Sequence, residues 1–181
     1  MDVTELHDKV NFEHSRKVAT ISRILAEQMG YDADESSIIE QVALYHDLGK
    51  DEIPKSILNK PGALTAAEFD IIKKHTSAGH KQLADAAEIL RFAAIAAQEH
   101  HEKIDGSGYI GLSGNDIHPI ARLISVADVF DALLSQRVYK PAWNISSVMD
   151  YMNEQSDKQF DRKIVHALLG SLEAISAIYG L

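Results

Sequence analysis

The chain has 181 residues, a formal net charge of −9 and no cysteine. That length predicts one domain over residues 1–181 with a sizeable core, and the missing thiols exclude disulfides, zinc ribbons, iron–sulfur clusters and cysteine catalysis. The acidic balance argues against binding a nucleic acid polymer, although local cations could still draw in an anionic substrate.

No apolar run approaches the roughly 18–20 residues that span a bilayer. The opening MDVTELHDKV lacks the apolar stretch of a signal peptide. The expected location is therefore cytoplasmic, with no membrane association.

The hydrophobic pattern is helical from end to end. Leu6, Val10, His14, Val18, Ile21 and Leu25 share one face of a first helix, which Gly30 ends. Asp34 or Ser36 would cap a second helix that turns Ile39, Val42 and His46 inward. Pro54 and NKPG (59–62) mark a turn-rich connection. Thr65 with Glu68 forms the signature of a capping box opening a third helix, and residues 76–86 read as a fourth. Residues 87–102 are rich in alanine, which lets neighbouring helices approach closely. After the glycine-rich KIDGSGYIGLSGND, Pro119 starts a helix running to about Ser135. Helices near 145–156 and 161–179 follow, the latter capped by Asp161. No segment sustains a period of two, so the expected class is all-α.

Five histidines and two aspartates recur at the spacing of successive helices: His14, His46–Asp47, His75, His100–His101 and Asp128. Imidazole and carboxylate together suit first-row divalent metals. Taken singly, His14 and His75 read equally as core histidines with a satisfied hydrogen bond. Asp128 is harder to dismiss. It continues the Ile120/Ile124 face, and a carboxylate buried there must be paired or metal-bound. His46 and Asp47 would stand about one hundred degrees apart on a helix, and His100 and His101 likewise on another. His7, His80, His118 and His166 fit no ligand pattern.

The strings HDLGK, LNKPGALTAAEF, HTSAGH, EHHEKIDGSGYI, ARLISVADVFDALLSQRVYK and FDRKIVHALL closely resemble the HD-GYP subfamily of HD-superfamily phosphohydrolases, in order, spacing and flanking text, from about residue 11 to about residue 170. Those proteins are bacterial cyclic-dinucleotide phosphodiesterases. The resemblance implies an HD-domain helical bundle of about seven or more helices around a dinuclear metal centre. His14, His46, Asp47 and Asp128 would hold one metal. Asp47 would bridge to a second held by His75, His100 and His101. Lys50 would lie near the scissile phosphate, Tyr109, Arg137 and Lys140 would contact substrate, and Asp131 would stand behind the ligands. The metals expected are iron or manganese, with zinc or nickel as alternatives. Family members usually carry an upstream sensory or receiver domain, so the chain reads as a stand-alone hydrolase or an excised domain. A regulatory or diguanylate cyclase protein is the expected class of partner.

Two departures stand out. Some members bind a third metal through a glutamate four residues before the first histidine, where this chain has Val10, so two metals are expected. Ile110 stands where the GYP signature has proline, and without that φ restraint a looser loop is expected.

The chemistry that fits is attack of a hydroxide bridging two metals on a phosphodiester. Cyclic di-GMP would open to pGpG, with further cleavage to GMP. Lys50 would stabilise the transition state or protonate the leaving oxygen, although alone it reads as a solvated helix-end lysine. Arg137 and Lys140 would pair with the second phosphate, and Tyr109 would stack on a base. The competing readings are a hydrolase acting on cGAMP or another nucleotide, and a signalling module that binds a nucleotide without turnover.

Overall fold

The computed structural model describes residues 3–84, 88–135 and 142–180, with side chains from residue 12 onward except those of residues 88 and 89. Nine α-helices are found among the described residues, with no strand beyond one isolated bridge, Ser156 to Phe160. The expected all-α class is met.

Helix α1 (Val3–Gln28) is the longest, and its Val18, Ile21, Ser22 and Leu25 stripe is fully buried. It ends at Gly30, whose φ of +90° lets the Tyr31 amide turn back to the Ala26 carbonyl. Helix α2 (Ala33–Ala43) begins at Asp32, not at Asp34 or Ser36. The Asp32 carboxylate accepts from the Asp34 and Glu35 amides, and Glu35 answers to the Asp32 amide at 3.0 Å. This reciprocal box outcompetes the two later candidates, and Ser36 is buried inside the helix.

A 3₁₀ turn (Leu48–Glu52) and the short α3 (Lys55–Leu58) lead to α4 (Ala66–Leu83). The Thr65/Glu68 box opens α4 as expected, but α4 runs unbroken through the two helices anticipated there. Gly79 does not break it. That residue lies where the 3₁₀ turn, α4 and α5 meet. A Cβ on Gly49 would fall 2.1 Å from the His75 carbonyl oxygen and 2.4 Å from the Gly79 nitrogen, and one on Gly79 would fall 3.1 Å from the Ala97 Cβ. Two glycines and an alanine thus let three backbones nearly touch.

Helix α5 (Glu88–Glu99) packs against α2, α4 and α6, and Ala93, Ala94, Ala96 and Ala97 are buried on it. Helix α6 (Pro119–Leu134) is the most enclosed. Its residues from Leu123 to Asp128 are all buried, the pattern of a helix surrounded by others. It packs against α1, α5, α7 (Ile145–Glu154) and α8 (Arg162–Gly170).

The final expected helix is two, α8 and α9 (Leu172–Tyr179), divided at Ser171. Gly170 is a poor helix former. The break turns α9 so that Ile175 is buried and Tyr179 reaches the side of α6.

Candidate metal centre

The HD pair does not lie on a helix. Helix α2 stops at Ala43, and the chain continues through three-residue turns: His46 N donates to Ala43 O, Leu48 N to Tyr45 O and Lys50 N to Asp47 O. Side chains on such a tightened path splay by about 120° rather than one hundred. His46 therefore points into the core while Asp47 faces along the cleft. The pair His100–His101 likewise follows the end of α5 instead of lying on it, although the His100 amide still bonds to Ala96 O.

Each histidine of the deep floor is aimed by its own backbone. His46 Nδ1 lies 2.7 Å from Ala43 O, His75 Nδ1 2.6 Å from Ile72 O, and His100 Nδ1 3.0 Å from Ala97 O. A carbonyl can only accept, so in each ring Nδ1 carries the proton and Nε2 presents its lone pair to the centre. His14 is aimed through a side chain instead, with Nδ1 2.6 Å from Asp131 Oδ2. Asp131 is itself fully buried and held by the Tyr179 hydroxyl at 2.7 Å and the Ser135 hydroxyl at 3.2 Å. This is the arrangement that fixes tautomer and orientation in metal-binding histidines.

The lone pairs converge on Asp47. Its Oδ2 lies 3.3 Å from His46 Nε2 and 3.9 Å from His14 Nε2. Its Oδ1 lies 3.4 Å from His75 Nε2 and 3.6 Å from His100 Nε2. The two oxygens thus serve two groups: His14, His46 and Asp47 on one side, and Asp47, His75, His100 and His101 on the other. Asp128 joins the first side, 3.1 Å from His14 Nε2 and 3.9 Å from His46 Nε2.

A cation fits these donors. Ligands bound at about 2.0–2.2 Å stand roughly 3–3.5 Å apart, close to the 3.1–3.9 Å separations of these atoms. His46 Nε2 and Asp47 Oδ1 are buried without a hydrogen-bond partner. His75 Nε2 and His100 Nε2, both lone-pair bearing, face each other at 3.4 Å. Unpaired acceptors crowded in a dry pocket are costly unless a positive charge sits among them.

The electrostatics favour ligand-competent states. Burial works against ionisation of Asp47, yet the Lys50 ammonium and the facing His46 ring hold it well below the usual carboxylate range. Burial also opposes Asp128, which His14 holds low through a hydrogen bond and its charge. Burial and the neighbouring His100 push His75 down to about 4, and the same two causes keep His101 neutral. His14 is the exception. Burial would lower it, but Asp128 and Asp131 raise it to about 9. A proton and a cation would compete for that position, so metal uptake there would release a proton.

Lys50 Nζ lies 2.5 Å from Asp47 Oδ2, which keeps the ammonium beside the centre. Tyr109 lies over His101, with ring centroids 4.7 Å apart and an interplanar angle of 39°. Burial, with Asp128 and Asp47 nearby, pushes its phenol up to about 12, so it stays neutral. Phe69, absent from the sequence reading, meets the Tyr109 ring edge-on at 5.9 Å, and Lys73 Nζ lies 5.0 Å from the Phe69 ring. Arg137, Lys140 and the Val10 side chain lie outside the described residues. His80 and His118 bind elsewhere: His80 bonds Ala94 O, and His118 caps α6 by accepting from the Ile120 amide.

Two further residues near the site, Tyr179 and Glu102, escaped the sequence reading. Tyr179 comes from 48 positions beyond the aspartate it holds. Glu102 is buried beneath the glycine loop and accepts from the Ile110, Gly111 and Leu112 amides, each at 2.8 Å. The looser loop expected from Ile110 is not what these residues form, because a carboxylate restrains the backbone in place of a proline ring.

Comparison with known proteins agrees with this geometry. A family model described as HD domain matches residues 1–164. The chain is 41% identical over 166 residues to the cyclic di-GMP phosphodiesterase response regulator RpfG of Xanthomonas campestris, covering 91% of this chain and 44% of that protein. It is 36% identical over 179 residues to 3'3'-cGAMP-specific phosphodiesterase 2 of Vibrio cholerae, covering 98% of this chain and 34% of that protein. The chain thus spans less than half the length of these two relatives. Among solved structures, Bd1817, an HDG"Y"P protein from Bdellovibrio bacteriovorus, superposes with a TM-score of 0.73 over 92% of this chain and 53% of that one, at 23% identity. Fold, ligand geometry and sequence match agree: the chain belongs to the HD domain family.

Proposed function

We propose that this chain is a metal-dependent phosphodiesterase that opens cyclic di-GMP to pGpG and cuts on to GMP. The observation that carries the reading is Asp47, whose two carboxylate oxygens face two separate groups of histidine nitrogens. A bridging carboxylate is needed only where two cations sit side by side. The relatives named for cyclic di-GMP and cGAMP hydrolysis supply the substrate class.

Two divalent cations, iron or manganese before zinc or nickel, would supply an activated water and offset the phosphate charge. His14, His46, Asp47 and Asp128 would hold one, and Asp47, His75, His100 and His101 the other. Asp131 would keep the His14 lone pair aimed inward. Lys50, released from Asp47 as that carboxylate takes up its ligand role, would contact a non-bridging phosphate oxygen or give its proton to the leaving oxygen. Neutral Tyr109 would stack on a base. Arg137 and Lys140 would meet the second phosphate. Such a reaction belongs to the cytoplasm, and a regulatory or diguanylate cyclase protein is the partner class that suits it.

The test is elemental analysis of the purified protein together with chromatography of its products from cyclic di-GMP and from 3'3'-cGAMP. Two metals per chain and conversion of cyclic di-GMP to pGpG are expected. Faster turnover of cGAMP would move the substrate assignment to the second relative's. Binding without turnover in metal-replete protein would favour a signalling module.

A further inference from the structure

The glycine loop is tied to the metal floor by one side chain. Glu102 directly follows His101, and it is only 2% exposed. Its Oε1 accepts from the Ile110 amide, and its Oε2 from the Gly111 and Leu112 amides. Hydrogen bonds to an ionised acceptor are roughly twice as strong as neutral ones. The loop closes tightly on this carboxylate. A Cβ on Gly108 would lie 2.6 Å from the Glu102 Cα and 2.8 Å from its carboxylate carbon, so no other residue fits there. Gly108 and Ile110 flank Tyr109, so both neighbours of the tyrosine are seated on Glu102. The far side of the loop is held separately, by the Asp105 amide on Lys158 O and the Gly114 amide on Ile104 O.

Ile110 has a part in this that its side chain does not reveal. That side chain is half exposed. Its amide, however, is the partner of Glu102 Oε1. Proline has no amide hydrogen. In this chain a proline at 110 would leave a buried carboxylate oxygen without that donor.

We propose that Glu102 is the positioning residue that sets Tyr109 against His101 for substrate, and that the Ile110 amide is a working part of the clamp. The role in substrate binding rests on the reading of Tyr109 as a substrate contact. The clamp itself does not.

Two measurements test it on the whole 181-residue chain, loaded with diamagnetic zinc for the first and with its catalytic metals for the second. The first needs no activity: amide hydrogen exchange at residues 110–112 and the ring-to-ring nuclear Overhauser contact between Tyr109 and His101. The wild type should protect all three amides and show the contact. Glu102→Gln, which turns an NH₂ toward backbone donors, should lose both, and Ile110→Pro should speed exchange at Gly111 and Leu112. Rapid exchange in the wild type overturns the clamp, and an Ile110→Pro protein as protected as wild type overturns the role of the Ile110 amide.

The second is kinetic, with cyclic di-GMP. Glu102→Gln should keep two metals and raise KM about tenfold, with a smaller change in kcat. In a Tyr109→Ala background the same substitution should change KM little, because its effect runs through the tyrosine. An equal rise in both backgrounds, or loss of a metal, overturns the positioning role. If wild type turns over no cyclic dinucleotide, the functional reading fails, and the exchange and ring-contact results still decide the clamp.

Discussion

The two sides of the metal centre are built by different means. His46, His75 and His100 are each aimed by a carbonyl three residues back in their own segment. His14 is aimed by Asp131, 117 positions away, which in turn depends on Tyr179. The side with His75 and His100 is oriented by local backbone, and the other, where His46 has its own carbonyl, needs for His14 a relay across three helices. The local side should therefore form wherever its segments form. The relay side requires α1, α6 and α9 to be docked together.

Asp47 joins the two sides, and removing it should have the largest effect. Asp47→Ala deletes the one carboxylate that, among the described residues, belongs to both groups. Both metals should be lost, with hydrolysis below detection. Elemental analysis and product chromatography on the same sample read both. Two retained metals with near-normal turnover would contradict a shared bridge.

Substitutions confined to one side should separate the metals. His14→Ala and His75→Ala should each lose about one equivalent, and each should retain the other. Metal titration of both proteins decides this. A protein that loses both equivalents from His14→Ala would show the relay side to be needed for the local one.

The relay can be weakened without touching a proposed ligand. Asp131→Asn removes the charge behind His14 and should cut affinity for one metal about 10- to 100-fold, the range for groups that support ligating histidines. Tyr179→Phe leaves Asp131 Oδ1 without its phenol and should destabilise the fold by about 1.5–3 kcal/mol. Chelator competition measures the first and urea unfolding the second. No comparable single side chain exists for His46 or His100, since backbone carbonyls cannot be mutated away.

The same contrast explains what was legible in the sequence. The helical periodicity, the Thr65/Glu68 box, the Pro119 start and the histidine–aspartate constellation are local patterns, and each has its counterpart in the structure. The Asp32/Glu35 box was equally local and was passed over for two plausible neighbours. Glu102 was not readable because its partners, eight to ten positions on, are backbone amides that carry no residue-type signal, and Tyr179 and Phe69 were not because their importance comes from contacts made only after distant segments meet. The division at Ser171 belongs with them, since it serves to carry Tyr179 to α6. The turn carrying His46–Asp47 looked like a helix because α2 leads directly into it.

The smallest effect should come from the start of α4, the helix that carries His75. The Glu68 carboxylate accepts from Lys60 Nζ at 2.7 Å and from the Thr65 amide at 2.8 Å, and these partners, the Lys60 bond first, lower its pKa to about 2. A carboxyl depressed in the folded state stabilises the fold at pH values above its ordinary value near 4.5. That contribution fades as pH falls through the folded value near 2. Glu68→Gln should therefore shift the urea midpoint slightly at pH 7, and the gap from wild type should close between about pH 4.5 and pH 2. Glu68 is partly exposed, so solvent screening keeps the shift small. Metal content should not change, because His75 takes its aim from Ile72 inside the helix and not from the helix end. A lost equivalent in Glu68→Gln would mean that the local side depends on the register of α4 as a whole, and the division between the two sides would have to be redrawn.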